Sequence, residues 1–166
     1  IYSAAMKKGR LPQAGYEAMI ASTTRLNTPG IALGELDGVH AMTDVTGFGL
    51  LGHALELARG SRLTARIIYS QVPVLPGVRE LALAGLVTGA GARNWAGYGS
   101  GVELFDGCSA WQKAVLTDPQ TSGGLLVTCA PDSEAEVLAL FRAEGFEHAC
   151  RVGWLDDGPA RVVVTP

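Results

Sequence analysis

The clearest periodic pattern of hydrophobic and polar positions follows Phe48. Apolar residues recur at helical spacing and define one face: Leu50, Leu51, Ala54, Leu55 and Ala58. This spacing predicts an amphipathic helix that ends at Gly60. His53 and Glu56 fall on the opposite side, so the pattern predicts a solvated histidine on the polar face.

Similar patterns, punctuated by turn residues, predict the other elements. Helices are expected over residues 12–26, 29–36 and 76–84, and over 133–145 after an S-x-x-E capping box that starts at Ser133. Tyr16, Met19, Ile20 and Thr23 are expected on one side of the first of these. Strands are expected at 39–42, 62–69, 102–105, 122–129, 149–154 and 161–164. The glycine-rich stretch 88–101 (TGAGARNWAGYGSG) is not expected to hold regular structure. Helices and strands mix without strict alternation, which favours an α+β fold with a mixed β-sheet packed with helices.

Composition narrows the class of protein. The 166 residues are 48% hydrophobic and 17% charged, which favours one folded domain and argues against a disordered chain. The net charge of −3, without a basic stripe, argues against a nucleic-acid partner, and the apolar runs are too short to cross a membrane. Three scattered cysteines (Cys108, Cys129 and Cys150) form no zinc motif and fit a reducing cytosol. The chain begins at Ile1 without an initiator methionine, so we expect a fragment or a trimmed product.

The segment TDVTGFGLLGH, residues 43–53, contains the spacing G-x-G-x-x-G of dinucleotide-binding turns. Such a site also needs an acidic residue about 20 positions later for the ribose, but none lies between Glu56 and Glu80. Asp44 would also repel a pyrophosphate unless a cation lay between them. We therefore reject a dinucleotide site.

Asp44 instead has two interpretations. A carboxylate at a strand end, beside threonines and a glycine turn, suits Mg²⁺, which takes one or two carboxylates together with waters and phosphates. Alternatively, Asp44 caps the turn or the helix, as aspartate often does. Taken alone, the segment favours the capping interpretation.

A second unusual segment is TDPQTSGGLL, residues 117–126. Its small polar residues Thr121, Ser122, Gly123 and Gly124 leave backbone N–H groups and hydroxyls free for an anion. A tight turn into the following strand explains the same residues, and locally it is the better interpretation.

The two segments together, in this order and at this distance, resemble the C-terminal half of the selenophosphate synthetase (selenide, water dikinase) family. Other stretches share the resemblance: AAMKKGRLP, VPVLPGVRELALAGLV and ARNWAGYG. The resemblance covers nearly the whole chain. It implies the C-terminal α+β domain of an aminoimidazole ribonucleotide synthetase-like protein, with residues 1–166 as that single domain and the N-terminal ATP-binding domain absent.

The same resemblance implies a reaction and a site. The family makes selenophosphate, AMP and orthophosphate from selenide, ATP and water, as a cytoplasmic homodimer in which Mg²⁺ bridges the nucleotide phosphates to several aspartates. One of these aspartates corresponds to Asp44, which the resemblance makes a metal ligand. The family's catalytic Cys (or selenocysteine) and Lys belong to a segment not present here, so no residue of this chain is assigned catalysis and the chain alone is expected to be inactive. Alternatives are a domain of another ATP-using superfamily member, or a non-catalytic binding module.

The remaining polar and aromatic candidates carry weaker expectations. His40 lies in a predicted strand and could point inward or outward, and His148 has no partner nearby. Arg93 and Asn94 could reach an anion such as phosphate, or they could stabilise their loop. Trp95, Trp111 and Trp154 are expected in the core or at a domain interface.

Overall fold

A computed structural model describes all 166 residues. Eight helices lie at Tyr2–Lys7 (α1), Gln13–Thr23 (α2), Pro29–Leu33 (α3), Gly49–Ser61 (α4), Val78–Leu83 (α5), Gly89–Tyr98 (α6), Ala110–Leu116 (α7) and Glu134–Ala143 (α8). Six strands lie at Val39–Asp44 (β1), Thr64–Ile68 (β2), Val102–Glu103 (β3), Leu125–Cys129 (β4), Gly153–Asp156 (β5) and Arg161–Thr165 (β6). Short 3₁₀ turns follow β2 and precede β3 and α8.

The strands divide between two sheets. The larger has the order β3-β6-β2-β5, in which β6 runs parallel to β2 and β3 while β5 runs antiparallel to β2. The smaller is an antiparallel pair of β1 and β4. The predicted α+β class with a mixed sheet is confirmed, and the division into two sheets is a feature that the strand pattern alone did not indicate.

The main core lies between α4 and the four-stranded sheet. Leu51, Leu55 and Ala58 of α4 are at most 1% exposed, and they pack with Val162 and Val164 of β6. The predicted apolar face of α4 is therefore confirmed. A smaller core joins α3 and α8 to the β1–β4 pair through Leu33, Val137 and Phe141.

The glycine-rich stretch forms helix α6, so the prediction of irregular structure was wrong. The hydroxyl of Thr88 caps the helix by accepting a hydrogen bond from the Gly91 N–H at 3.2 Å. Gly91 is buried against Thr117: a Cβ there would lie 3.1 Å from the Thr117 hydroxyl oxygen. Close packing against a neighbouring loop thus explains a glycine that lowers helix propensity.

The predicted capping box at Ser133 was also wrong. Ser133 already belongs to the 3₁₀ turn Pro131–Ser133, and its hydroxyl makes no cap hydrogen bond. The structure instead places a capping box at the start of α7, where Ser109 and Gln112 exchange side-chain and backbone hydrogen bonds.

Helix α2 buries none of its residues. Tyr16 and Ile20, predicted on one side of this helix, are 43% and 41% exposed. The helix itself was predicted, but within this chain it has no buried face.

Candidate functional site

The two unusual segments of the sequence lie side by side at one end of the β1–β4 pair. Asp44, the last residue of β1, is opposite Leu125, the first residue of β4. Beyond the strands, the Val45 N–H donates to the Gly124 carbonyl and the Gln120 N–H donates to the Thr46 carbonyl, both at 2.9 Å. Segments that are about 70 residues apart in sequence therefore form one surface.

Two glycines allow this close approach. A Cβ on Gly123 would lie 1.7 Å from the Val45 carbonyl oxygen, and a Cβ on Gly49 would lie 2.7 Å from the Thr117 carbonyl carbon. Gly49 also has φ of +68°, a left-handed conformation that side chains disfavour. Gly49 of the first segment thus serves packing between the two loops, in agreement with the rejection of a dinucleotide turn.

Asn94 of α6 holds the two loops together from outside. Its side-chain N–H group donates to the carbonyl oxygens of Gly47 at 2.9 Å and Thr117 at 3.1 Å. Of the two interpretations left open for Asn94, the structure supports loop stabilisation. Arg93 is exposed and forms no ion pair.

Asp44 is exposed at the end of β1, and its carboxylate makes no hydrogen bond or ion pair within the chain. Helix α4 has no side-chain cap hydrogen bond, and its N-cap residue is Phe48. The capping interpretation of Asp44 is therefore not what the structure shows. No cluster of three or more His, Cys, Asp or Glu side chains surrounds it, so this chain by itself does not supply a full set of metal ligands here.

The loop at 121–124 is largely exposed and leads directly into β4. Thr121, Ser122 and Gly124 are exposed, Ser122 has φ of +48°, and the segment leads into β4. No hydrogen bond within the chain engages the backbone N–H groups of these four residues. The predicted strand thus begins at Leu125, not at Ser122, and the four N–H groups before it are free.

Asp118, in the same segment, is a buried anchor that the sequence did not assign. It is 6% exposed, and its carboxylate accepts a hydrogen bond from the Thr88 hydroxyl at 3.0 Å. Because Thr88 is the N-cap residue of α6, this hydrogen bond ties α6 to the loop.

The prediction of a solvated His53 was wrong. His53 is 6% exposed, and its ring contacts Thr46 and Glu56. The direction of helical side chains was the signal that could have predicted this. Because these side chains lean toward the helix N-terminus, a residue one turn into α4 lies beneath the loop that precedes the helix.

Tyr98, also unassigned from the sequence, closes the outer side of the loop. Its hydroxyl donates to the Phe48 carbonyl at 2.6 Å, and burial raises its pKa to about 12. Its ring covers Gly52, where a Cβ would lie 2.9 Å from the ring. Phe48 itself is 52% exposed.

The other candidates lie away from this surface or play packing roles. His40 and His148 are exposed, and neither has a hydrogen-bonding partner. Trp95 and Trp111 are half-buried against core clusters, as expected, whereas Trp154 is 41% exposed.

Burial raises the pKa of the Cys108 and Cys129 thiols, which opposes reactivity. None of the eight helices is both long and apolar enough to span a membrane.

Residues 4–165 match a protein family described as AIR synthase related protein, C-terminal domain. The chain belongs to this family. It is 61% identical over 164 residues to a selenide, water dikinase from Paraburkholderia xenovorans (strain LB400), an alignment that covers 99% of this chain and 46% of that protein. The chain thus spans about half the length of the curated relatives it matches. The resemblance to the C-terminal part of selenophosphate synthetases is confirmed.

Solved structures with low sequence identity support the fold. Thiamine-monophosphate kinase from Stenotrophomonas maltophilia K279a aligns with a TM-score of 0.63 and 21% identity, over 96% of this chain and 44% of that one. Hydrogenase maturation protein HypE in complex with ATP aligns with a TM-score of 0.52 and 20% identity, over 76% of this chain and 32% of that one. The family fold is therefore shared among proteins with different names.

Proposed function

We propose that residues 1–166 are a single domain, the C-terminal domain of an enzyme that makes selenophosphate, AMP and orthophosphate from selenide, ATP and water. The observation that carries this proposal is the 61% identity to a selenide, water dikinase over nearly the whole chain. The meeting of the two motif segments at one surface supports it, because these are the segments that carry the resemblance.

Asp44 is the proposed metal ligand of this domain. Its carboxylate is exposed and free of protein partners, as a ligand that waits for a cation must be. Mg²⁺ commonly binds one or two carboxylates together with waters and nucleotide phosphates. One carboxylate from this domain fits that pattern if the remaining ligands come from ATP and from another domain.

The free N–H groups of residues 121–124 are the proposed second contribution. Consecutive unpaired backbone N–H groups in a loop suit the oxygens of an anion such as phosphate. They directly precede β4, the strand that pairs with β1, so an anion held there would lie near the end of β1 that carries Asp44.

Phosphoryl transfer requires positioning and charge stabilisation more than covalent chemistry from the protein. When bound, Mg²⁺ would neutralise the charge that develops on phosphoryl oxygens. This chain would hold one ligand of that ion, and the nucleophilic Cys or selenocysteine and the Lys would come from the ATP-binding domain. We therefore propose that the domain by itself is inactive and that the full-length enzyme is a cytoplasmic homodimer.

The test uses the natural protein that contains these 166 residues, with ATP, selenide and Mg²⁺ followed by phosphorus NMR. We expect a selenophosphate signal from wild type. Asp44→Asn should lower the rate at least as much as loss of a metal-orienting partner, about 10–100-fold. Asp37→Asn is the matched control, since Asp37 is also exposed but precedes the opposite end of β1. It should leave the rate unchanged.

Three outcomes would contradict parts of the proposal. A signal that survives Asp44→Asn would remove the metal role and keep the enzyme. Selenophosphate made by the 166-residue chain alone would refute its inactivity. No signal from wild type would refute the activity and favour another superfamily member or a non-catalytic module.

A further inference from the structure

His53 is the one buried imidazole of the chain, and both of its ring nitrogens are engaged. Nε2 lies 3.0 Å from the Thr46 backbone nitrogen and 3.3 Å from the Thr46 hydroxyl. Nδ1 lies 2.8 Å from Oε2 of Glu56. His53 therefore links the polar edge of α4 to the loop that follows Asp44.

The partners determine which ring nitrogen carries the proton. A backbone N–H can only donate, so Nε2 must be the acceptor and must be unprotonated. The proton of a neutral ring then lies on Nδ1, which donates to Glu56. Glu56 thereby selects the tautomer that can hold Thr46, in the way that outer carboxylates orient metal-bound histidines.

Thr46 is held at both of its backbone polar groups. Its carbonyl accepts a hydrogen bond from the Gln120 N–H. The N–H of the preceding residue, Val45, donates to the Gly124 carbonyl. The Thr46 N–H has no partner except His53. Removal of the imidazole would leave this half-buried donor unpaired, and the loop could relax away from its hydrogen bonds to the second segment.

We propose that His53 is a positioning residue, which fixes the Thr46 backbone through Nε2 and thereby holds Asp44 and the 121–124 loop in register for the metal and phosphate. This inference rests on the proposed function and adds a residue to that site. His53 does not touch substrate. Glu56, whose side chain is 54% exposed, acts through the imidazole by keeping its proton on Nδ1.

The test compares His53→Gln with His53→Leu in the natural protein that contains this chain. The glutamine carbonyl can replace Nε2 as the acceptor for Thr46, whereas leucine cannot, and both residues suit a helix. We expect faster hydrogen exchange at the Thr46 amide in His53→Leu and protection close to wild type in His53→Gln. The Mg²⁺ concentration for half-maximal activity should rise about 10–100-fold in His53→Leu, with rescue by glutamine.

A second pair of variants covers the case in which His53→Leu does not fold. Glu56→Leu removes an exposed side chain, and Glu56→Gln keeps an acceptor for the Nδ1 proton. Nitrogen NMR of the ring should show protonation at Nδ1 in wild type and Glu56→Gln, and a partial shift to Nε2 in Glu56→Leu, with weaker protection of Thr46.

The outcomes separate this inference from the proposed function. A wild-type enzyme that makes selenophosphate, with Thr46 exchange or Mg²⁺ dependence unchanged in His53→Leu, would overturn only the role of His53. A ring protonated at Nε2 in wild type would overturn it as well. A wild-type protein that makes no selenophosphate would overturn both, whatever the exchange of Thr46.

Discussion

Gly49 is the position where the contact between the two motif segments can be tested most directly. Its φ of +68° costs a residue with a Cβ about 1–2 kcal/mol. Its Cβ would also lie 2.7 Å from the Thr117 carbonyl carbon and 2.9 Å from the Thr117 oxygen. Because these are backbone atoms, they cannot rotate away, and overpacking of this kind costs about 1–3 kcal/mol.

We expect Gly49→Ala to lower the free energy of unfolding by about 2–5 kcal/mol, the combined range of the two effects. At roughly 2–4 °C per kcal/mol for a chain of this size, the melting temperature should fall by at least about 4 °C. Urea denaturation followed by circular dichroism, together with calorimetry, measures both quantities.

Two glycines provide matched controls. Gly77 has φ of +75° but no atom within 4 Å of its Cβ position, so Gly77→Ala isolates the backbone cost of about 1–2 kcal/mol. Gly47, two residues before Gly49, has neither a positive φ nor a close neighbour. Gly47→Ala should therefore change stability by less than about 1 kcal/mol. If Gly49→Ala lowered the free energy of unfolding no more than Gly47→Ala, the close approach of the two segments would be refuted.

Two further predictions concern the core and the tyrosine beside the loop. Leu55 is 1% exposed in the main core, so Leu55→Ala should cost about 2–5 kcal/mol in chemical denaturation. Leu26→Ala, at a side chain 76% exposed, should cost less than about 0.5 kcal/mol, and equal losses would contradict the assigned core. Burial raises the pKa of Tyr98 from 10.0 to about 12, so the native state keeps a proton that the unfolded chain releases, and stability should fall as pH rises from about 10 to 12. Tyr98→Phe should make that fall shallower in denaturation measured between pH 9 and 12, and an unchanged slope would contradict the prediction.

Elements with strong local signals were predicted well. The apolar face of α4 was read from spacing alone, because a 3.6-residue period needs no knowledge of the partner surface. Where local signals competed with packing, the prediction was wrong. Residues 89–98 form a helix in spite of their glycines, since a capped first turn and contact with Thr117 outweigh weak intrinsic propensity.

The candidate site shows the same division. Asp44 and residues 121–124 were identified by their motifs, and their roles remain proposals. His53 and Asn94 were misplaced or left open, because their contacts lie with backbone groups of other segments. Hydrogen bonds of this kind leave no periodic mark in a sequence.

The sequence by itself determined the family, the α+β class and the two motif segments, since these depend on local composition and on long, unusual residue runs. Only the tertiary structure decided that the two segments share one surface, that His53 lies beneath it and that Asp118 is an anchor. The physical reason is that the pairing of β1 with β4, and the burial of His53 beneath a loop, depend on contacts between groups that are far apart in sequence. Those contacts are determined by the packing of the whole chain.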